Sequence, residues 1–421
     1  MQEALRIAKL PSNSTNSSRP PSTDLYRPKR NNNHSLRHSS GKKTGGQKGH
    51  AGSTLEFNTS VTDFTVEYTA DYCSECGKDL SMIAGVQQEV RQIIDIPVPR
   101  PVLTNHITLS KLCSCGYCNK GEFPGNVRSH VGYGSGVEAL VVNLSTRQYI
   151  PYRRLAEFLN DVFRISISEG TVANLLERFK GKAEGVYEHI QQQIPKAEVV
   201  GSDETGARVN GSNGWFHTYQ TPLWTFIGYH ISRGNDARGL FFPIGLPKTI
   251  LVSDCLAMQL STPAAAHQAC MAHLLRELIA MQEAHPDQVW PTKLKNLFQR
   301  AQLNPVSLCP LEVEAIENEF KDLLTLDQYA APGKIPAFWK RMQKHADKIF
   351  TFLHHDNVPS DNNGSERAIR NVKVKQKVSG QFKTDKGAMQ YAMNRSIIDT
   401  LNKQDKNVHE ALIEIANFTP D

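Results

Sequence analysis

The sequence predicts an α/β fold with a helical insertion, preceded by a small β unit built on cysteines and by a separate helical segment. Three observations carry this prediction. Runs rich in apolar, β-branched and aromatic residues between 197 and 254 have the composition of strands. Apolar residues recur at helical spacing over 135–195 and again near the end of the chain. Five of the eight cysteines fall in two tight groups between 73 and 118.

The chain begins with a basic segment. Residues 1–50 contain ten Lys or Arg against only Glu3 and Asp24, so this segment holds more than the whole net charge of +6. Residues 11–50 have few sizeable apolar side chains, and such a segment cannot bury enough surface to offset its ordering entropy. We predict a basic, disordered tail over 1–55 that attracts nucleic acid through its charge. A merely solubilising leader is the alternative.

Export and membrane insertion are not expected. The opening residues MQEALRIAKLPSN lack the apolar region of a signal peptide. No apolar run approaches the roughly 20 residues that span a bilayer. We therefore expect a cytoplasmic protein that makes no contact with membranes, and in that compartment clustered cysteines favour metal binding over disulfides.

The cysteine groups predict a small zinc-binding unit over residues 60–130. Two Cys-x-x-Cys pairs supply four thiolates for a structural Zn²⁺ site, namely Cys73, Cys76, Cys115 and Cys118. Cys113 could replace either cysteine of the second pair, and redox-active cysteines are a weaker alternative. Between the groups, the runs VRQIIDIPV and VLTNHITLS have the composition of strands joined by a turn at Pro-Arg-Pro.

Residues 135–195 are predicted to be a helical DNA-binding or linker segment. The run LAEFLNDV places its apolar residues on one helical face. After a short break, Ser168 can cap a second helix whose apolar residues follow an i, i+3, i+4, i+7 pattern. Two short helices around a tight turn are compatible with a helix-turn-helix, and plain helical packing explains the pattern equally well.

A catalytic domain is predicted over 197–403. AEVVGSD is a strand ending in Asp203, two aromatic runs form a hairpin, and TILVSD is a strand ending in Asp254. A helix is expected over roughly 267–283, followed by a helical insertion over about 284–356. Helices near 364–380 and 386–403 close the domain, and 404–421 is expected to be a C-terminal tail.

Three carboxylates are candidates for one metal site. Asp203 and Asp254 both end apolar strands, so they can meet at one edge of a sheet, where α/β folds tend to bind ligands. Glu366 lies on a late helix among basic residues. Three carboxylates can hold two Mg²⁺ or Mn²⁺ ions for phosphodiester chemistry. Glu204 is a possible substitute for Asp203, although on a strand it would point to the opposite face.

The basic neighbours of Glu366 fit contacts with DNA phosphates. On a helix, Arg370 lies one turn beyond Glu366 and Lys373 two turns beyond, and Arg367 is adjacent in sequence. We predict that Arg367, Arg370 and Lys373 bind the phosphates of a polyanion such as DNA. The alternative is a solvated helix face with ordinary ion pairs, which would contribute only about 0–1 kcal/mol.

Several stretches together resemble the transposases of the insertion-sequence-66 family. In chain order these are NSSRPPSTD, GGQKGHAG, the cysteine unit, SDET, SDC, QACMAHLLREL and DNNGSERAIRNVK. The resemblance implies a ribonuclease-H-like catalytic core of the DDE type, with Asp203, Asp254 and Glu366 as the catalytic triad. The region before NSSRPPSTD is short for the family, which puts full activity in question.

The resemblance implies a DNA transposase that cleaves the ends of an insertion sequence and joins them to target DNA. It also implies a homo-oligomer on DNA and accessory proteins encoded by the same element. A non-catalytic, zinc-containing DNA-binding regulator is the competing hypothesis. A tyrosine recombinase is weaker still: His273-x-x-Arg276 also occurs in that class, but the carboxylates would then be unexplained, and a nucleophile such as Tyr329 or Tyr391 would be needed.

Overall fold

A computed structural model describes residues 55–58, 63–127, 129–303, 305 and 308–418 of the chain. The predicted basic tail therefore lies almost entirely outside the described residues. The chain divides into two compact units, Met1–Arg100 and Pro101–Asp421, and each is considered by itself.

The described part of the first unit contains a tight turn but no regular strand. Backbone hydrogen bonds close this turn between Cys73 and Lys78, and Tyr72 forms an isolated bridge with Asp79. The prediction that VRQIIDIPV and VLTNHITLS form strands is wrong: the first run has no strand, and in the second, which belongs to the other unit, only the last residue, Ser110, lies in one. The apolar residues of both runs are exposed, for example Ile93 at 90% and Leu103 at 92%, so their side chains have no core face to pack against.

The second unit opens with a small antiparallel hairpin of strands β1 (Ser110–Leu112) and β2 (Cys118–Lys120). Three helices follow: α1 (Ser135–Val142), α2 (Tyr152–Phe163) and α3 (Glu169–Gln193). As predicted, the Ser168 hydroxyl caps α3 by accepting the backbone N–H of Thr171. However, α3 has 25 residues, so it is not the short second helix that the sequence suggested.

A five-stranded mixed sheet forms the centre of this unit, which confirms the α/β prediction. Its strands are β3 (Val199–Val209), β4 (Ser212–Gln220), β5 (Thr225–His230), β6 (Leu246–Ser253) and β7 (Ala264–Ala269). The order across the sheet is β5-β4-β3-β6-β7. The first three strands form an antiparallel meander, whereas β6 is parallel to β3 and β7 is parallel to β6.

Two sequence expectations fail in the sheet. Strand β3 does not end at Asp203, because its antiparallel pairing with β4 continues to Val209 after its pairing with β6 stops at Ser202. The helix expected from about 267 begins only at Met271, since the preceding residues form the fifth strand, β7. The sequence AAAHQA lacks β-branched residues and is a strand only because β6 provides a neighbour.

Helices cover the sheet and extend beyond it. Those after β5 are α4 (Asn235–Phe241), α5 (Ala257–Leu260), α6 (Met271–Ala284), α7 (Val289–Gln302), α8 (Pro310–Thr325), α9 (Ile335–Lys344), α10 (Asn363–Ser379), α11 (Asp385–Lys403) and α12 (Val408–Asn417). Helices α7, α8 and α9 separate α6 from α10 along the chain. They share one apolar core with α6, to which Phe298 and Phe320 belong.

The two faces of the sheet pack against different helices. On β3, Val200 belongs to a core shared with α1, α2 and α3, whereas Val199 packs against the core that contains α6 to α9. On β6, Val252 belongs to the second core. Because side chains alternate along a strand, Gly201 and Asp203 lie on the same face as Val199. This face carries the candidate site.

The last described helix is part of the packed unit. The sequence predicts a tail over 404–421, but α12 lies there, and its Leu412 is fully buried in the first core. Buried Glu138 of α1 pairs with Arg178 and Lys182 of α3, and the Lys182 ammonium also donates to the carbonyl of Ala416. Among the described residues, no helix is long and apolar enough to span a membrane.

Candidate functional site

The two aspartates occupy neighbouring positions on adjacent strands. Ser202 of β3 pairs with Ser253 of β6, so Asp203 and Asp254 both follow the last paired residues of a parallel ladder. Adjacent strands lie about 4.8 Å apart. The backbone N–H of Glu204 donates to one oxygen of Asp203, and that of Leu256 donates to one oxygen of Asp254. The local fold thus places both carboxylates at one point of the sheet edge.

The charge of Glu366 also acts on this pair. Burial, together with the negative charges of Asp254, Glu204 and Glu366, raises the pKa of Asp203 to about 7. A single backbone hydrogen bond from Glu204 opposes these effects. A carboxyl group that is destabilised in this way gains from a bound cation, because the cation neutralises the repulsion.

Glu204 has a different role from Asp203. Its side chain is buried and accepts hydrogen bonds from Arg233 and from Gln259 of α5, the helix that directly follows Asp254. Arg233 also stacks over the ring of Trp215. The contact with Gln259 connects β3 at Glu204 to the segment after Asp254. Arg233 and Gln259 together occupy both carboxylate oxygens of Glu204. The structure therefore does not offer Glu204 as a replacement for Asp203.

Helix α10 is anchored directly beside Asp203. The Asn362 side-chain amide donates to the carbonyl of Ser202 at 2.7 Å, and its backbone N–H donates to the Cys270 sulfur. The helix also approaches Gly201 so closely that an added Cβ there would lie 2.5 Å from the Ser365 hydroxyl and 2.9 Å from Asn362 Oδ1. Glu366 stands one turn beyond Asn362, so this anchor fixes the position of its backbone.

The Glu366 carboxylate is surrounded by positive or titratable groups. Its oxygens lie 3.4 Å from Arg276, 3.5 Å from Arg370 and 3.6 Å from His273 Nε2. Its side chain is only 13% exposed. These are longer than the roughly 2.7–2.9 Å of a charge-assisted hydrogen bond, so the carboxylate is neutralised without being tightly bound by any one partner.

Only one group of possible metal ligands converges closely within the part of the chain that the structure describes. The ligand atoms of Cys270, His273 and Glu366 all lie within 4.8 Å of one another. The carboxylate oxygens of Asp203, Asp254 and Glu366 do not all lie within 4.8 Å of one another, although the charges of Asp254 and Glu366 both raise the pKa of Asp203. Joint coordination of an ion by the three predicted carboxylates therefore requires the Glu366 side chain to turn from α6 toward the aspartates.

The basic residues after Glu366 divide into two kinds. The side chain of Arg370 is 71% exposed and Arg367 is also exposed. Lys373 instead donates to the carbonyl of Gly206 at 2.6 Å, and burial lowers the pKa of its ammonium group. Lys373 therefore holds α10 against β3 in this structure, and the two arginines remain available to an external anion.

The cysteine groups form two similar turns, each within its own unit. In the first, the N–H of Gly77 donates to the carbonyl of Cys73, and Gly77 has a φ of +70°. In the second, the N–H of Gly116 donates to the carbonyl of Cys113, and Gly116 has a φ of +88°. Glycine is favoured at such positive φ values.

The first thiol of each turn is polarised in the same way. Backbone N–H groups of Cys76 and Glu75 lower the pKa of Cys73, and the N–H of Cys115 lowers that of Cys113. Stabilised thiolates are the form that binds metal. The third cysteine of the second group, Cys118, lies on β2 opposite Leu112.

Three contributors to this site were given no role in it from the sequence: Asn362, Gly201 and Arg276. A glycine inside a strand often marks a close approach of another backbone, so Gly201 next to Asp203 carried a usable signal. Asn362 lies in a helix-start sequence where asparagine is common, and its tertiary hydrogen bond leaves no trace in the sequence. Arg276 contacts Glu366 across 90 positions of chain, which spacing alone does not reveal.

Comparison with known proteins identifies the family. Residues 130–390 match the sequence model described as the transposase IS66 family. The matched region contains Asp203, Asp254 and Glu366 together with the whole five-stranded sheet. No curated protein matches the chain.

The match covers more than half of the sequence and agrees with the resemblance of the motifs SDET, SDC and DNNGSERAIRNVK. Membership of a transposase family implies a protein that acts on DNA. The chain belongs to the IS66 family of transposases.

Proposed function

We propose that the protein is a DDE transposase, with Asp203, Asp254 and Glu366 as the catalytic carboxylates. The observation that carries this proposal is the placement of the three groups at one end of the sheet: two adjacent parallel strands present the aspartates side by side, and helix α10, anchored through Asn362 to Ser202, carries Glu366 one turn beyond that anchor. A carboxyl group whose pKa is strongly raised by burial and by neighbouring carboxylates, as that of Asp203 is, is a candidate for a functional site.

The donor set fits hard divalent cations. Carboxylate oxygens are the ligands that Mg²⁺ and Mn²⁺ prefer. When bound, such ions activate a water or a 3′-hydroxyl and stabilise the leaving oxygen of a phosphodiester. Other residues of the chain would position these carboxylates. Asn362 fixes the helix that carries Glu366, and the contact between Glu204 and Gln259 fixes the segment after Asp254.

The order of the strands supports a ribonuclease-H-like core. An antiparallel meander followed by two parallel strands, in the order β5-β4-β3-β6-β7, is the arrangement expected for that fold. The first carboxylate lies on the first strand of the meander and the second directly after the fourth strand. The fold alone does not determine the activity, because one fold can host many activities.

The competing hypotheses explain less of the site. A tyrosine recombinase needs an accessible nucleophile, but Tyr391 is buried, donates to the carbonyl of Asn371, and has a pKa that burial raises. Tyr329 is exposed, yet it packs against Trp339 in the helical insertion. A purely regulatory DNA-binding protein leaves the buried cluster of carboxylates without a purpose.

Nicking of DNA tests the proposal directly. The purified protein should nick a duplex carrying the element's terminal repeats when Mg²⁺ or Mn²⁺ is present, and a chelator should stop the reaction. Binding without nicking would support the regulator, and a covalent protein–DNA adduct would support the tyrosine mechanism.

We further propose that DNA is held by several parts of the chain. The basic tail over 1–55 and the exposed Arg367 and Arg370 supply positive charge, and helices α2 and α3 supply a candidate helix-turn-helix. Homo-oligomerisation on DNA and accessory proteins of the same element belong to this proposal.

The two cysteine turns are proposed to bind structural Zn²⁺. The glycine-closed turns and the lowered pKa values of Cys73 and Cys113 support this assignment. Thiolate ligands select zinc over the harder ions of the catalytic site.

Purified protein should therefore contain about one Zn²⁺ per chain, and Cys76→Ser should lose it together with the local fold. Metal analysis of freshly reduced protein measures this. Comparing Cys113→Ser, Cys115→Ser and Cys118→Ser identifies the ligands of the second turn. Cys309→Ser is the control, because Cys309 is an exposed helix cap and serine caps helices well. Zinc-free wild-type protein would refute the assignment.

A further inference from the structure

Helix α6 presents a second basic group to the candidate active site. Arg276 lies one turn after His273, and both point to Glu366 of α10, with the Arg276 guanidinium 3.4–3.5 Å from its Oε1. The sequence analysis considered Arg276 only as part of a recombinase motif. Among the described residues, Glu366 is the only hydrogen-bond or ion-pair partner of Arg276.

The contact between Arg276 and Glu366 is poorly suited to a permanent structural role. Both of its nitrogen–oxygen distances are long, and both are directed at a single carboxylate oxygen rather than forming a two-pronged pair. The Arg276 side chain is 45% exposed. A long, single-pronged pair whose guanidinium is this exposed contributes little to stability. The guanidinium can therefore change partners at small cost.

Glu366 cannot serve Arg276 and a metal ion equally well. Coordination of a divalent cation withdraws the negative charge that attracts the guanidinium, and the positive ion then repels it. The bound cation also attracts the phosphates of DNA to the part of the site that contains Glu366. A guanidinium recognises phosphate oxygens through several N–H donors in a fixed plane, better than a point charge does.

We propose that Arg276 is a DNA-contacting residue of the active site, which exchanges Glu366 for a backbone phosphate when a divalent cation engages Glu366. The proposal rests on the proposed function, because it takes Glu366 as a metal ligand. Without metal, Arg276 keeps Glu366 neutralised on the α6 side; with metal, it adds one phosphate contact beside the aspartates. His273 lines the same side of the site.

The salt dependence of DNA binding tests this exchange without requiring cleavage. Binding of a mixed-sequence duplex is measured by fluorescence anisotropy over a range of salt concentrations, with Ca²⁺ in place of Mg²⁺ or with a chelator. Each phosphate contact contributes roughly 0.9 to the log–log slope. Arg276→Gln should reduce the slope by about this amount in Ca²⁺ and by much less in chelator. Arg276→Lys should retain most of the slope, since it keeps the charge.

The Glu366→Gln background provides the decisive comparison. There Arg276 has no charged partner to leave, so adding Arg276→Gln should reduce the slope equally with Ca²⁺ and with chelator. Arg300→Gln is the matched control: Arg300 forms an exposed pair with Glu319 between α7 and α8, away from the carboxylates. Any effect of Arg300→Gln should be the same in both conditions.

Two results would overturn the inference: no loss of slope for Arg276→Gln in Ca²⁺, or an equal loss in Ca²⁺ and chelator when Glu366 is intact. Thermal unfolding verifies that Arg276→Gln is folded. Because the Arg276 side chain is 45% exposed, its replacement should change the unfolding temperature little. The proposed function fails on a different measurement, namely undiminished nicking by Glu366→Gln, so the two failures are separable.

Discussion

Replacing Glu366 by glutamine should reduce Mg²⁺-dependent nicking by about 10³-fold or more, while DNA binding is retained. Glutamine keeps the size of the side chain but removes the charge that holds the ion, and electrostatic stabilisation at the reacting phosphate is the dominant contribution to such chemistry. Asp203→Asn and Asp254→Asn should give losses of similar size. Double variants should be little worse than single ones, because groups that act as one unit are not additive.

Asp361→Asn is the control for these variants. Asp361 lies five residues before Glu366 and accepts two hydrogen bonds from Asn363, one on each carboxylate oxygen. An asparagine there keeps the bond from the Asn363 backbone N–H through its single oxygen. Its nicking rate should stay within a few-fold of that of the wild type. Equal losses for Asp361→Asn and Glu366→Gln would mean that the assay reports damage to α10 in general and not loss of a metal ligand.

Replacing Gly201 by alanine should cause the second large loss, although Gly201 has no functional group. Its added Cβ would lie 2.5 Å from the Ser365 hydroxyl, 2.7 Å from the Gln220 amide nitrogen and 2.9 Å from Asn362 Oδ1. Ser365 is fully buried, so we expect the clash to push α10 away from β3. We expect a stability loss of about 1–3 kcal/mol from overpacking. A displacement of about 1 Å at Glu366 should cost roughly 100-fold in nicking rate.

Gly206→Ala separates this effect from a general intolerance of the strand. Gly206 lies on the same strand, but a Cβ there would meet the Trp215 ring at 3.5 Å, an ordinary packing distance. Its nicking rate and unfolding temperature should remain close to those of the wild type. If Gly201→Ala nicks as fast as Gly206→Ala, the anchoring of α10 is not what positions Glu366.

The sequence pointed to candidate site residues more directly than to the fold around them. Asp203 and Asp254 were singled out as carboxylates after apolar strands and Glu366 as a carboxylate among basic residues, and all three lie in the region that matches the family. Strand β7 was missed because its residues, AAAHQA, have no strand preference of their own. Its conformation is fixed by pairing with β6, a contact that lies outside its own sequence.

The placement of charges around the carboxylates was also beyond the sequence. Lys373 was expected to face DNA from its position two turns after Glu366, yet its ammonium group donates to the carbonyl of Gly206 within β3. Arg276 and His273 of α6 contact Glu366 of α10 although the whole helical insertion separates these two helices in the sequence. Such contacts depend on tertiary packing, which helical spacing does not encode.

Asp203 has a property that separates its proposed catalytic role from its effect on stability. Because burial and the neighbouring carboxylates raise its pKa to about 7, the folded protein retains a proton that the unfolded chain loses near pH 4. The stability of the metal-free protein therefore decreases as the pH rises through this window. Asp203→Asn removes the repulsion, so above pH 7 the inactive variant should be more stable than the wild type by on the order of 2–4 kcal/mol. The gain should disappear below about pH 4.

Thermal unfolding above pH 7, with and without Mn²⁺, is the most direct test that these carboxylates form a metal site. Metal-free Asp203→Asn should unfold at a higher temperature than the metal-free wild type. Saturating Mn²⁺ should raise the unfolding temperature of the wild type, because at a hundred times its dissociation constant it adds about 2.7 kcal/mol to the free energy of unfolding. It should leave the unfolding temperature of the variant nearly unchanged. If Asp203→Asn instead destabilises the metal-free protein, and Mn²⁺ stabilises both chains equally, these carboxylates do not hold the ion.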